Sequence, residues 1–314
     1  MKTKHLLITC CFSVLIGIHN LACAQADKVY DLQKPVVSVP FEIENGSIVL
    51  TVTLNNSHQP LHLLFDTGAD GMALTQGMAD TLGLQVTRKQ STSVIGGNMD
   101  ISISENNTVH LDTIAVGGQS IAIFKTLKHG VDGIIGNNIA RRFIVKVDFD
   151  TKRLSLYNFD NYKYEAGGTA VPFTRAKGVI IFPGTLYLTA GKIDTGRFVF
   201  DSGASYGLIC FRPFVRKNRL LVSGFIPESS ASTTSMGVTT PTFTGKAVSF
   251  TVSNLTPINN LPVTLMAGSG QDETWQPGFD GSIGIKFISR YNFTINMQQS
   301  EIYFKPVSKA NQLN

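Results

Sequence analysis

The sequence predicts an all-β protein built from two similar lobes. Stretches that alternate apolar and polar residues, such as 48–54, 101–103, 145–149 and 294–297, recur along the chain, and a period of two is typical of strands. Gly, Asn, Asp and Pro bound these stretches, as expected of turns between strands. The second half of the chain also repeats the pattern of the first half, which predicts two pseudo-symmetric β-barrel lobes.

The first repeated feature is a pair of strands followed by a tetrad of Asp, a hydroxyl residue, Gly and Ala. The tetrads are Asp66-Thr67-Gly68-Ala69 and Asp201-Ser202-Gly203-Ala204, and the strands before them are predicted at 48–54, 61–65, 184–189 and 197–200. A single Asp-Thr-Gly is weak evidence, because these are ordinary turn residues. Two copies in matching contexts indicate that the tetrads form the two halves of one active site.

The second repeated feature lies further along each half. Residues 132–136 read DGIIG and residues 280–284 read DGSIG, and the matches continue downstream, where Arg142 corresponds to Arg290. Repeated turns in a symmetric barrel explain the glycines. They do not explain an Asp placed after a buried strand at the same point of both halves.

These repeats predict the domain boundaries. We expect a first lobe over 40–165 and a second lobe over 166–314, preceded by an extension over 25–39 and a signal peptide over 1–24. Few segments have helical periodicity, and short helices are predicted only at 75–82 and 212–220.

The first 24 residues are typical of an export signal. Lys2 and Lys4 precede an apolar run over 6–18 that is too short to span a membrane, and Ala22-Cys23-Ala24 fits a cleavage site. We therefore expect an exported protein, periplasmic or secreted, with lipidation of Cys23 as the alternative. After cleavage Cys210 is the one remaining cysteine, which excludes an intrachain disulfide and is typical of a small core residue.

The two tetrads are suited to acid–base chemistry. A pseudo-twofold axis between the lobes would bring Asp66 and Asp201 together, and two adjacent carboxyl groups share a proton because they cannot both ionise easily. The ionised carboxylate can then take a proton from water while the protonated one donates to a carbonyl oxygen. Thr67 and Ser202 would place hydroxyls beneath the carboxylates. Gly68 and Gly203 would let backbone amides approach them.

A glycine-rich stretch over 94–99 reads VIGGNM and predicts a hairpin tip. Gly96 and Gly97 at this tip are candidates for substrate contact if the hairpin is a mobile flap over the cleft. An ordinary surface hairpin is the alternative.

With its tetrads and apolar-Gly motifs, the chain resembles the aspartic peptidases of the pepsin and retroviral-protease superfamily. LLFDTGAD at 64–71 is similar to the retroviral active-site stretch, and DGIIG and DGSIG are similar to the motif that pairs with it. The presence of both halves in one chain is similar to the two-lobed pepsin plan and to secreted bacterial retropepsin-like proteins. The resemblance covers about 40–307 and implies the pepsin-like acid protease fold, with a cleft between the lobes.

The resemblance implies an aspartic endopeptidase in which Asp66 and Asp201 are the catalytic pair, supported by Thr67, Gly68, Ser202 and Gly203. It also implies that Asp70 and Ser205 lie near the main chain of an extended peptide or protein substrate. Three departures stand out: the hairpin tip has no Tyr, Ser282 replaces an apolar residue, and Ala69 and Ala204 replace hydroxyl residues.

The absence of hydroxyls at Ala69 and Ala204 predicts a pair that titrates higher than in pepsins. The main alternative function is a non-catalytic protein on the same fold that binds a peptide or another ligand. If the protein is a peptidase, the sequence fits two uses equally: a single maturation cleavage in a partner protein, or general digestion.

Other functional classes fit the sequence poorly. GASYG at 203–207 matches a serine-hydrolase motif, but no His follows Ser205. The formal charge of +5 falls when the signal is removed, and no basic run interleaves with aromatics, so nucleic acid is not expected as a partner. No His/Cys cluster suggests a metal, so no metal or cofactor is expected. A monomer is expected, because both tetrads lie in one chain.

Overall fold

The structure is a computed structural model that describes residues 34–94, 97–127, 130–160, 162–235, 238–268 and 275–308. The predicted signal peptide, its alternative lipidation residue Cys23, most of the predicted extension and Gly96 lie outside these ranges. Within the described ranges, no helix is long and apolar enough to cross a membrane.

The first half of the chain is almost entirely β-structure. Its elements are β1 (Val37–Pro40), β2 (Glu42–Glu44), β3 (Ser47–Leu54), β4 (Leu61–Phe65), β5 (Met72–Thr75), α1 (Gln76–Thr81), β6 (Arg88–Val94), β7 (Gly97–Leu111), β8 (Ile114–Phe124), β9 (Gly133–Ile135), α2 (Asn137–Ala140), β10 (Ile144–Asp148) and β11 (Arg153–Tyr157).

The second half follows a related order. Its elements are β12 (Thr169–Pro172), β13 (Thr174–Ala176), β14 (Val179–Thr189), β15 (Lys192–Phe200), β16 (Leu208–Cys210), α3 (Arg212–Lys217), a 3-10 helix (Leu220–Val222), β17 (Ser229–Ser235), β18 (Val238–Lys246), β19 (Ser249–Val252), β20 (Ile258–Asn259), β21 (Pro262–Met266), β22 (Gly281–Ile283), α4 (Ile285–Ile288), β23 (Tyr291–Asn296) and β24 (Glu301–Pro306).

The strands form one sheet for each lobe and one that joins the two halves. The first lobe has an eight-stranded sheet in the order β2-β3-β4-β9-β5-β8-β7-β6. The second lobe has a ten-stranded sheet, which runs β17-β18-β21-β16-β22-β15-β14-β19-β20 with β13 paired to β14. A six-stranded sheet, β1-β11-β10-β23-β24-β12, takes strands from both halves. The predicted all-β, two-lobed fold class is confirmed.

Local backbone and side-chain contacts set where the short helices begin and end. Thr75 caps α1, since its hydroxyl accepts a hydrogen bond from the amide of Met78 at 3.3 Å. The predicted helix over 212–220 is shorter in the structure, because Arg219 adopts a left-handed conformation with φ of 54°. A 3-10 turn over Leu220–Val222 follows instead of a continued α-helix.

A cluster of phenylalanine rings packs behind the second tetrad. Phe200, the last residue of β15, is fully buried. Its ring makes edge contacts with Phe293 at 5.2 Å, with Phe304 at 5.8 Å and with Phe182 at 5.9 Å between centroids. Such pairs add to the free energy gained from burial alone. The strand that precedes Asp201 is therefore held firmly by the core.

We expect Phe200→Ala to lower the free energy of unfolding by about 3–5 kcal/mol, because it leaves a cavity among these rings. Urea denaturation measures the effect. Ile193→Ala is the control: Ile193 lies on the same strand but is 55% exposed, so its loss should be within about 0.5 kcal/mol. Similar losses in the two variants would contradict this description of the core.

Candidate active site

The two tetrads begin at the ends of equivalent strands. β4 pairs in parallel with β9 and β15 pairs in parallel with β22. The amide of Asp66 donates to the Ile135 carbonyl at 3.0 Å, and the amide of Asp201 donates to the Ile283 carbonyl at 3.0 Å. The strand pairing therefore fixes the backbone of both aspartates in the same way, which explains why both tetrads follow buried strands.

The structure brings the two carboxyl groups together. The Asp66 and Asp201 side chains are within hydrogen-bonding contact. The amide of Gly68 donates to Oδ1 of Asp66 at 2.8 Å, and the amide of Gly203 donates to Oδ1 of Asp201 at 3.1 Å. Each aspartate is thus held by an amide of its own loop. Because the two carboxyl groups are adjacent, one shared proton between them is favoured.

Each glycine also lies against the carboxyl group of the opposite lobe. A Cβ atom on Gly68 would lie 2.7 Å from Cγ of Asp201, and one on Gly203 would lie 2.4 Å from Cγ of Asp66. Any side chain there would separate the two aspartates. The close approach of the loops therefore requires glycine at both positions.

The hydroxyls of Thr67 and Ser202 form a reciprocal network under the aspartates. Oγ1 of Thr67 donates to the Phe200 carbonyl at 2.7 Å and accepts from the amide of Ser202 at 3.0 Å. Oγ of Ser202 donates to the Phe65 carbonyl at 2.7 Å and accepts from the amide of Thr67 at 3.1 Å. Both side chains are fully buried. Four hydrogen bonds across the lobe junction thus set the relative position of the two loops.

The second aspartate has an unusual set of donors. Oδ2 of Asp201 accepts hydrogen bonds from Oγ of Ser282 at 2.9 Å and from the phenol of Tyr206 at 3.2 Å. Burial raises the pKa of the Asp201 carboxyl above its ordinary value, while the hydrogen bonds from Ser282, Asp66 and Tyr206 act in the opposite direction. Burial, with the nearby Asp201 charge, also raises the pKa of Tyr206 well above 10.0, so its phenol remains a donor.

The apolar-Gly motifs lie directly behind the two loops. A Cβ atom on Gly136 would lie 2.5 Å from the Ala69 carbonyl oxygen, and one on Gly284 would lie 2.3 Å from that of Tyr206. The aspartates of the same motifs have a structural role. Oδ2 of Asp132 accepts from the amide of His62, and Oδ2 of Asp280 accepts from the amide of Arg197, both at 2.8 Å.

An asparagine that sequence reasoning missed also supports the first loop. Nδ2 of Asn137 donates to the Thr67 carbonyl at 2.7 Å and to the Gly178 carbonyl of the second half at 3.2 Å. Its neighbour Asn138 accepts from the amide of Gly136 at 3.1 Å. The repeat offered no signal for either, because the second half has Ile285 and Lys286 at these positions.

The aspartate pair lies in a cleft of about 1100 Å³. Its walls include side chains of two hairpins, β6–β7 with Arg88, Gln90 and Thr92, and β17–β18 with Thr233 and Thr234. The apolar lining from the first half of the chain is mainly aliphatic, and that from the second half includes a cluster of aromatic rings. The aliphatic side chains are Leu64, Ile101, Ile103 and Ile134, and the aromatic ones are Tyr206, Phe211, Trp275 and Phe279.

The predicted substrate-contacting residues divide into two groups. Asp70 and Ser205 line the cleft, and Asp70 forms an ion pair with Arg141. Gly97 begins β7 and pairs with Val94 of β6, so the predicted hairpin is present. Gly96, predicted at the tip of this hairpin, lies outside the described residues. A flap function for this hairpin stays a prediction.

The one cysteine of the described ranges belongs to the core. Cys210 is fully buried, and burial raises the pKa of its thiol. Across the described ranges, no group of three or more His, Cys, Asp or Glu side chains is arranged to hold a metal ion.

Comparison with known proteins agrees with this geometry. A family model described as aspartyl protease matches residues 50–139, which include the first tetrad and DGIIG. The crystal structure of an aspartic proteinase from Irpex lacteus matches 88% of the chain and 99% of its own, with a TM-score of 0.58 and 16% identity. Residues 50–139 therefore match the aspartyl protease family, and the whole chain shares the fold of this pepsin-like aspartic proteinase.

The two matches are of different kinds. The first lobe is matched by sequence, whereas the whole two-lobed chain is matched by fold. No curated protein sequence matches the chain.

Proposed function

We propose that the protein is an aspartic endopeptidase that hydrolyses peptide bonds with a water molecule activated between Asp66 and Asp201. The observation that carries this proposal is the contact of two carboxyl groups from equivalent loops at one cleft. The network of Thr67 and Ser202 holds that contact across the lobes. A pair held in this way keeps one proton between two carboxyl groups, as general acid–base hydrolysis requires.

The proposed reaction has two steps and involves no covalent intermediate. The ionised aspartate removes a proton from water, the oxygen of this water bonds to the carbonyl carbon, and the protonated aspartate gives its proton to the carbonyl oxygen. In the second step the diol intermediate loses a hydroxyl proton to one carboxylate as the C–N bond breaks. The leaving nitrogen takes a proton from the other aspartate. The pair returns to its starting state with one proton.

The cleft supports an extended peptide as the substrate. The side chains of Asp70 and Ser205 are positioned along its walls, and the apolar faces on either side of the aspartates would bury apolar substrate side chains. We propose that the residues on the two sides of the cleaved bond are apolar, aliphatic toward the first lobe and aromatic toward the second.

Cleavage of an unfolded protein substrate by the purified 25–314 chain, between about pH 3 and pH 8, tests the proposal. We expect defined fragments whose ends carry apolar residues, and we expect activity to persist in chelator. A folded chain that binds peptides, measured by fluorescence anisotropy, but cuts none at any pH would contradict the proposal and favour a binding protein.

The pH dependence follows from the environment of Asp201. Burial raises its pKa, and a general base must be ionised, so activity should fall as the pH drops through this raised value. We expect a bell-shaped profile of kcat/KM with its maximum above about pH 4, the ordinary pKa of an aspartate. A maximum well below that pH would contradict the proposed effect of burial.

We also propose that the 25–314 chain is exported and acts as a monomer. The charge pattern of residues 1–24 supports export, and the presence of both aspartates in one chain supports a monomer. N-terminal sequencing of the processed protein and light scattering of the purified chain test these two points. A chain that keeps residues 1–24, or a cleavage activity that depends on dimerisation, would contradict them.

A further inference from the structure

The hydroxyls that contact Asp201 are not repeated on the other side of the pseudo-twofold axis. Strand pairing sets Ile134 opposite Leu64 in the first lobe and Ser282 opposite Val199 in the second. Ile134 and Ser282 are therefore equivalent positions. Only the second carries a hydroxyl.

The same asymmetry holds for Tyr206. A Cβ atom on Gly284 would meet the Tyr206 carbonyl oxygen at 2.3 Å, and one on Gly136 would meet the Gly71 carbonyl oxygen at 2.6 Å. Gly71 is thus the first-lobe equivalent of Tyr206 and has no side chain. Both side-chain donors to Oδ2 of Asp201 come from positions whose first-lobe equivalents cannot supply a hydroxyl.

We propose that Tyr206 and Ser282 are positioning residues that make Asp201 the ionised member of the pair and hence the general base. Asp66 then carries the shared proton to the substrate carbonyl. This inference rests on the proposed peptidase function. It assigns a role to each aspartate, which the symmetric tetrads alone do not.

The number of hydrogen bonds that Oδ2 of Asp201 accepts favours this assignment. A carboxylate oxygen accepts two hydroxyl donors without difficulty, and both hydroxyls are within donating distance of Oδ2. Protonation of Oδ2 would leave that oxygen able to accept from one of the two hydroxyls, and hydrogen bonds to a neutral acceptor are weaker than those to a charged one. Asp201 is 8% exposed and is therefore largely without solvent donors. The two hydroxyls supply the donors that water would give an exposed carboxylate.

The charged and titratable groups near Asp201 come from its own contacts and from the walls of the cleft. The titratable groups in contact with Asp201 across the described ranges are Asp66 and Tyr206. The hydroxyls of Ser282 and Tyr206 also lie close to each other, since both contact Oδ2 of Asp201. The other charged side chains that line the cleft are Asp70, Arg88, Arg141, Arg142 and Lys177.

The pH profile of kcat/KM in Ser282→Ala and Tyr206→Phe distinguishes the two roles of Asp201. The acid limb of the profile reports the carboxyl that ionises first, and the alkaline limb reports the one that keeps its proton. Loss of a donor to a carboxylate should move the acid limb upward by about one pH unit for each hydroxyl. A shift of the alkaline limb alone would make Asp201 the proton carrier and overturn the proposal, as would unmoved limbs.

Matched controls and a second readout separate this inference from the peptidase proposal. Tyr187→Phe and Ser249→Ala remove hydroxyls outside the cleft and should leave both limbs in place.

Carbon-13 NMR of labelled aspartate follows the Asp201 carboxyl directly, with the Asp201→Asn spectrum identifying its signal. One outcome is that the parent chain cuts no peptide while the pKa of Asp201 still rises in Ser282→Ala. That result would contradict the peptidase proposal but support the effect of the Ser282 hydroxyl on Asp201. An unmoved titration in a folded variant overturns the role of the hydroxyls.

Discussion

Asp66→Asn and Asp201→Asn should each lower kcat/KM for a defined peptide by at least about 10³-fold, the size of effect seen when a general acid or base is lost. Asparagine keeps the shape of the side chain but cannot exchange a proton at these pH values. Either substitution therefore leaves one carboxyl group where the chemistry needs a base and an acid. Steady-state kinetics across the pH range measures the loss.

The fold of the two variants is checked by circular dichroism and thermal unfolding. Asp112→Asn is the matched control, because Asp112 is exposed in a turn with φ of 48°, which asparagine also tolerates. Its activity should equal that of the parent chain. An aspartate variant that keeps more than about a tenth of the activity would show that the two carboxyl groups do not act as one unit.

Gly203→Ala should lower kcat/KM by about 10²-fold or more, because small displacements of reacting groups carry large rate penalties. The added Cβ would lie 2.4 Å from Cγ of Asp66, so the two loops must move apart. The free energy of unfolding should also fall, by about 1–3 kcal/mol. Kinetics and urea denaturation on the same preparation measure both effects.

Gly77→Ala provides the control for the glycine variant. Gly77 lies in α1, and a Cβ atom there would meet nothing within 4 Å. This substitution should raise the free energy of unfolding by about 0.5–1 kcal/mol and leave the activity unchanged. Full activity in Gly203→Ala would contradict the tight cross-lobe contact.

The sequence predicted the fold well where its signals are local and repeated. The strand predicted at 61–65 has these bounds in the structure, since an apolar run between turn residues defines it. The two matching tetrads predicted an arrangement between distant parts of the chain, because a repeated motif implies a symmetry axis. Helix α3 was overestimated, because a left-handed Arg219 leaves no mark in the pattern of apolar residues.

The support around the aspartates was less predictable. Ser282 stood out as a departure from the apolar-Gly pattern, yet its contact with Asp201 depends on the register of β22 against β15. The contact of Tyr206 requires the loop after Asp201 to turn its phenol back toward the cleft. Both hydroxyls contact Asp201, whose own tetrad has Ala204 in place of a hydroxyl residue. Neither contact follows from sequence spacing, because each depends on the path of a neighbouring backbone segment.

The most direct test of the account is peptide cleavage in water enriched in oxygen-18, with products analysed by mass spectrometry. The 25–314 chain is compared with an identically purified Asp66→Asn/Asp201→Asn double variant. We predict that the parent generates fragments with oxygen-18 in each new carboxyl terminus and that the double variant generates none. Equal amounts of labelled fragments from both preparations, or none from a folded parent chain at any pH, would contradict hydrolysis by this pair of aspartates.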